Sequence, residues 1–166
     1  VLFWHRSSDI VKSLQSEGQH YLMPNLNFND NVIFTDNIDI AIKKSNIIVI
    51  AIPSQSIRTL ISNQQSIFKD NKLIVNVSKG IEINSLMTIS EVISDVYGDI
   101  YNNIVTLSGP SHAEEVIKKY PTTLVASSTN DYAAKIIQEL FSNEYLRTYL
   151  NNDVKGVEIG GAMKNV

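Results

Sequence analysis

Two lysines are the side chains in this sequence best placed to move a proton or meet a carbonyl oxygen. Lys164 lies in the segment Val157-Glu-Ile-Gly-Gly-Ala-Met-Lys-Asn-Val166, where Val157, Gly160, Gly161 and Lys164 recur at i, i+3, i+4 and i+7. On a helix such positions share one face. Each glycine inside a helix costs about 1 kcal/mol relative to alanine, a cost tolerated where a strand end or a bound ligand must come close. Asn165 follows with a side chain that both donates and accepts. Lysine can polarise or protonate a carbonyl oxygen when burial or a neighbouring cation pulls its pKa toward neutrality. Lys79 is the candidate neighbour: Ser78-Lys79-Gly80 follows the apolar run Leu73–Val77. A lysine at the end of a buried strand, followed by a glycine that lets the chain turn, projects a fixed charge; the plain alternative is an exposed surface lysine.

Three further segments stand just after apolar runs. Ser108-Gly-Pro-Ser-His-Ala-Glu114 follows Ile104–Leu107. Ser111 and Glu114 have capping-box spacing, and a helix N-terminus there also offers free N–H groups to an anion. Gly109 permits close backbone approach, and His112 reads as solvated. Pro53-Ser54-Gln55 follows the run Asn46–Ile52; proline suits a first helical turn, and Ser54 and Gln55 read chiefly as a helix start. Trp4-His5-Arg6 follows the first apolar run. If Val1–Trp4 is the second strand of a dinucleotide-binding sheet, Arg6 stands where a 2′-phosphate would lie; otherwise it is an exposed arginine ending an edge strand.

The elements that position these residues alternate. Strand-length runs are expected at Val1–Trp4, Val32–Phe34, Asn46–Ile52, Leu73–Val77, Ile104–Leu107, Thr122–Ala126 and Leu146–Leu150. Helical periodicity is expected around Ile10–Leu14 (capped by Ser8 or Asp9 and closed by Gly18), Ile38–Lys44, Ser54–Phe68, Asn84–Tyr97, Ser111–Lys119 and Asp131–Phe141, with a last helix opened by Asp153. Tyr21–Asn31 reads as irregular. The run NIIVIAI (Asn46–Ile52) has the continuous β-branched character of a strand buried on both faces. This alternation implies an α/β fold, a Rossmann-type doubly wound parallel sheet, whose ligands bind beyond the carboxyl ends of the strands.

Composition narrows the function. The 166 residues are 43% hydrophobic, enough for a real core. A net charge of −3 with no basic run argues against a nucleic-acid partner. Cysteine is absent and the three histidines are scattered, so no metal site is expected. The longest apolar run is too short for membrane insertion, no leader segment is visible, and a cytoplasmic location is expected. The chain reads as a fragment, expected to be poorly stable and inactive by itself.

In their order and spacing, VSKGIE (77–82), SGPSHAEEV (108–116) and VEIGGAMKNV (157–166) resemble the bacterial-type NAD(P)-dependent glycerol-3-phosphate dehydrogenases; WHR (4–6) and AIPSQ (51–55) fit the same pattern. The resemblance implies interconversion of dihydroxyacetone phosphate and sn-glycerol 3-phosphate with NAD(P)H, supplying glycerol 3-phosphate for phospholipid synthesis. It assigns Lys164 as general acid/base. Lys79, Gly109, Ser111, Lys164 and Asn165 would bind substrate, and His5, Arg6, Pro53, Lys79 and Ala113 would contact the cofactor. It also implies a division into a dinucleotide-binding domain over residues 1–150, lacking its first strand and phosphate loop, and residues 151–166 opening an absent all-α second domain; that domain would add an Arg-Asn pair for the substrate phosphate, and the full-length protein would be a homodimer. Two alternatives remain: a dehydrogenase acting on a β-hydroxy acid, and a non-catalytic nucleotide-binding module.

Overall fold

A computed structural model of the chain describes residues 1–20, 22–64, 72–98 and 102–164. It forms two compact units, Val1–Asn46 and Ile47–Val166.

In the first unit, β1 (Leu2–Trp4) pairs in parallel with β4 (Ile33–Thr35). Between them lie helix α1 (Ser8–Glu17) and the antiparallel strands β2 (Gln19–His20) and β3 (Met23–Asn27); helix α2 (Ile38–Lys43) follows. The rings of Phe3, Phe28 and Phe34 cluster with centroids 5.1–6.0 Å apart, and α1 buries Val11 and Leu14. The cap of α1 is Ser7 rather than Ser8 or Asp9: Ser7 is still extended, and its hydroxyl accepts from Ile10 N. Gly18 closes the helix in the left-handed region (φ 64°), which glycine enters without steric cost. Part of the segment expected to be irregular is therefore a short hairpin, built on backbone ladder bonds that leave no alternating hydrophobic signature.

The second unit is a five-stranded sheet in the order β5 (Ile47–Ile50), β6 (Leu73–Asn76), β7 (Ile104–Ser108), β8 (Thr122–Ser127) and β9 (Leu146–Asn151). β5, β6 and β7 run parallel, β8 runs antiparallel to β7, and β9 is parallel to β8. The wholly parallel expectation is corrected at β8. Helix α5 is only Ala113–Ile117, ended by Lys119 at φ 60°, so the chain turns back beside β7 instead of crossing over it. The expected Ser111–Glu114 cap does not form: His112 occupies the N-cap, with no side-chain bond.

Helices α3 (Ser54–Ser62) and α4 (Ile89–Tyr97) bury Ile57, Ile61, Val92 and Ile93, and α6 (Asp131–Phe141) buries Ala133 and Ile137 beside Val75, Val105 and Leu107. The end of the Ser54–Phe68 expectation lies outside the described residues. α4 starts later than expected, at a Thr88–Glu91 capping box preceded by a turn with Leu86 at φ 58°. β5 stands at the end of the five strands described in this unit; Ile50 is buried and Val49 is 47% exposed, short of the burial on both faces expected of its apolar run. Among the described residues, no helix is long and apolar enough to cross a membrane.

Candidate active site

The carboxyl ends of β5, β6 and β7 release three loops on one edge of the sheet. Asn76, the last residue of β6, accepts the Ser78 N–H on Oδ1 at 3.0 Å. The Ser78 hydroxyl donates to the Ile52 carbonyl at 2.7 Å and accepts from Ile52 N–H at 3.2 Å, tying this loop to the one after β5. Gly80 (φ 130°) turns the chain over Ser54, whose Oγ would lie 2.7 Å from an added Cβ. Gln55 then holds the far side, donating to the Ile81 carbonyl at 2.8 Å and accepting from Ile83 N–H at 3.0 Å. So fixed, Lys79 extends across to the next loop and donates from Nζ to the Gly109 carbonyl at 3.1 Å.

Helix α7 (Val154–Met163) brings in the second lysine. Asp153 caps it, accepting Gly156 N–H at 2.9 Å, and the helix packs on β7 and β8. Gly161 lies against the end of β7: its Cβ would stand 2.6 Å from Ser108 Oγ and 3.9 Å from Lys79 Cγ. Among the described residues nothing lies within 4 Å of a Cβ added at Gly160, so of the paired glycines it is Gly161 that makes a close approach within this chain. The residue drawn inward is Glu158, 5% exposed. Lys164 terminates the helix, half-buried.

The electrostatics of the two lysines are coupled. Burial, and next to it the charge of Lys164, push Lys79 below the ordinary lysine value. Neither lysine has a carboxylate partner among the described residues. Two lysines near enough for one charge to act on the other, with no counter-charge among the described residues, are able to meet an anionic or strongly polarised oxygen ligand.

Gly109 has its own structural reason. An added Cβ would meet the Thr123 carbonyl oxygen at 2.5 Å, so the close approach is to the backbone of β8. Ser111, half-buried, donates its N–H to the Gly109 carbonyl at 2.8 Å. Pro53 precedes α3, which lacks a side-chain cap, and Ala113 opens α5, exposed. Asn165 lies outside the described residues. His5 and Arg6 belong to the first unit, at the carboxyl end of β1: His5 Nδ1 accepts Ser7 N–H at 3.0 Å, and Arg6 is exposed. The sequence reading passed over Asn76 and Glu158. A lone glutamate in a helix carries no spacing signal, although an acid on the same segment as two glycines was a hint of a tight packing face.

Residues 1–134 match the family model described as the NAD-dependent glycerol-3-phosphate dehydrogenase N-terminus. The chain belongs to that family. The curated glycerol-3-phosphate dehydrogenase [NAD(P)+] of Carboxydothermus hydrogenoformans is 39% identical over 168 aligned positions, covering 100% of this chain and 50% of that protein. The enzyme of the same name from Bacillus subtilis is 38% identical, and 49% of it is covered. The chain thus spans about half the length of the curated relatives it matches. Among solved structures, the glycerol-3-phosphate dehydrogenase of Coxiella burnetii superposes with a TM-score of 0.91 at 27% identity, over 99% of this chain and 50% of that one. Membership of this glycerol-3-phosphate dehydrogenase family agrees with the mostly parallel sheet.

Proposed function

We propose that the complete protein interconverts dihydroxyacetone phosphate and sn-glycerol 3-phosphate with NAD(P)H, and that Lys164 is its general acid/base. The observation that carries this reading is the convergence of Lys79 and Lys164, without a carboxylate partner among the described residues, on the strand edge where such sheets bind ligands. The donor set fits an anionic dinucleotide and a phosphorylated substrate. His5 and Arg6 would hold the adenosine end, with Arg6 exposed and free to meet phosphate. Pro53, Lys79 and Ala113 would line the nicotinamide end. When bound, the cofactor supplies a hydride for the carbonyl carbon.

The proton falls to this chain. Lys164 donates from Nζ to the carbonyl oxygen during reduction and takes it back from the carbinol during oxidation. Lys79, anchored on the Gly109 carbonyl, keeps a positive charge beside that oxygen and favours charge developing there. Gly109, Ser111 and Asn165 would orient the substrate. Residues 151–166 would open the helical substrate domain. Action on a small molecule rather than a nucleic acid, a homodimeric state and a cytoplasmic location complete the reading, carried over from charge and family resemblance.

The test is an assay of the complete protein with NADH and with NADPH, offering dihydroxyacetone phosphate and, separately, a β-hydroxy acid with the oxidised cofactors. Turnover of dihydroxyacetone phosphate alone is expected. Turnover of the β-hydroxy acid, or cofactor binding without turnover of either, contradicts the proposal.

A further inference from the structure

Glu158 stands apart from the rest of the site. It is 5% exposed, and all four of its partners donate to it. Oε1 accepts from Asn76 Nδ2 at 3.1 Å, from the Ser90 N–H at 3.0 Å and from the Thr106 hydroxyl at 3.2 Å. Oε2 accepts the Ser90 hydroxyl at 2.6 Å. The partners come from the end of β6, the first turn of α4 and the middle of β7. Asn76 is shared: its amide nitrogen serves Glu158 while its oxygen holds Ser78 N–H at 3.0 Å, next to Lys79. Thr106 lies two residues before Ser108, which packs beneath Gly161.

A helix needs no buried acid to pack on a sheet. Desolvating one is costly, and an apolar side chain of similar volume would stabilise the contact at least as well. A fully satisfied polar network adds a single permitted register. Lys164 follows Glu158 by six residues, about 9 Å along the helix at 1.5 Å per residue, so any slip or rotation of α7 at Glu158 is carried to the lysine. We propose that Glu158 is a positioning residue: by locking α7 to Asn76 and Thr106 it sets the separation between Lys164 and Lys79. This rests on the dehydrogenase reading above.

The experiment is a set of kcat profiles against pH for the complete protein and its Glu158→Ala and Glu158→Gln variants, with dihydroxyacetone phosphate and NADPH. Loss of the lock lets the lysines separate. Glu158→Ala should lose about tenfold or more in kcat, and its basic limb should move upward as the charge of Lys164 withdraws from Lys79. Glutamine keeps three bonds on its carbonyl oxygen, while its amide donates to Ser90 Oγ, which can turn its own proton toward Thr88 Oγ1 at 3.3 Å. Glu158→Gln should therefore recover most of the lost kcat and return the limb. Should Glu158→Ala fail to fold, Thr106→Val removes one hydroxyl at nearly constant volume and should lower kcat by about threefold and move the limb in the same direction. Folded variants with lower thermal stability but an unmoved limb overturn the proposal, as does Glu158→Gln behaving like Glu158→Ala. Lys164→Met separates the two layers: near-native turnover in that variant overturns the assignment of Lys164 as general acid/base, on which the positioning role depends, whereas its inactivity beside an unmoved limb in Glu158→Ala overturns the positioning role alone.

Discussion

Gly109→Ala gives the sharpest physical test of how the substrate edge is built. The new methyl would sit 2.5 Å from the Thr123 carbonyl oxygen, 3.0 Å from Leu124 Cα and 3.2 Å from Leu124 Cδ2. Ordinary contacts need about 3.5 Å, so the β7 end and the start of β8 must part by roughly 1 Å, and two of the three obstacles are backbone. Overpacking of this kind costs about 1–3 kcal/mol. The upper part of that range applies where no side chain can swing away, less about 0.5 kcal/mol regained from the stiffer unfolded chain. A net loss of about 2 kcal/mol corresponds to a thermal midpoint lower by roughly 4–8 °C at this chain length. The Gly109 carbonyl also holds Lys79 Nζ at 3.1 Å, and a misplacement near 1 Å can lower turnover about a hundredfold. Circular dichroism melts read the first effect and steady-state assays of the complete protein the second. Gly160→Ala in this 166-residue chain is the control: its Cβ meets nothing within 4 Å there, so helix propensity should raise the chain's stability by about 0.5–1 kcal/mol. An unchanged midpoint for Gly109→Ala refutes the β8 contact as the reason for glycine; lost activity without lost stability would point to room for a ligand instead.

Other outcomes follow from the same geometry. Arg6→Asp in the complete protein should lower kcat/KM for NADPH about tenfold relative to NADH, since a charge-assisted bond worth about 1.5–3 kcal/mol is replaced by repulsion; equal preference in both proteins removes the role. Lys79→Ala should reduce turnover and raise KM for dihydroxyacetone phosphate together, and unchanged constants would remove Lys79 from the site. Hydrogen bonds from Arg58 and then Ser85 hold the Glu82 carboxyl below its ordinary 4.5. Its stabilising contribution is therefore present above pH 4.5 and lost as pH falls through the depressed value. Glu82→Gln should flatten the acid side of a melting-temperature profile, and an unaltered profile contradicts the coupling.

Much of the site was legible because strand ends announce themselves. Leu73–Val77 followed by Ser-Lys-Gly placed Lys79 correctly, and Asp153 was a readable cap. What was hidden depends on contacts between distant segments. Ser111 and Glu114 have capping-box spacing, yet the helix starts after His112, and Ser111 N–H is bonded instead to the Gly109 carbonyl. The reversal of β8 turns on one left-handed residue, Lys119, a conformation no lysine advertises. Glu158 looks like a surface acid until Asn76, Ser90 and Thr106 are brought around it from three other elements.

The most direct measurement of the central claim is turnover of dihydroxyacetone phosphate by the Lys164→Met variant of the complete protein, with its fold verified by an unchanged melt and its NADPH affinity by titration. If Lys164 carries the proton, kcat should fall by at least about a hundredfold while cofactor affinity stays near native. Near-native kcat in a folded, cofactor-binding Lys164→Met protein would contradict the assignment and place the proton on another group.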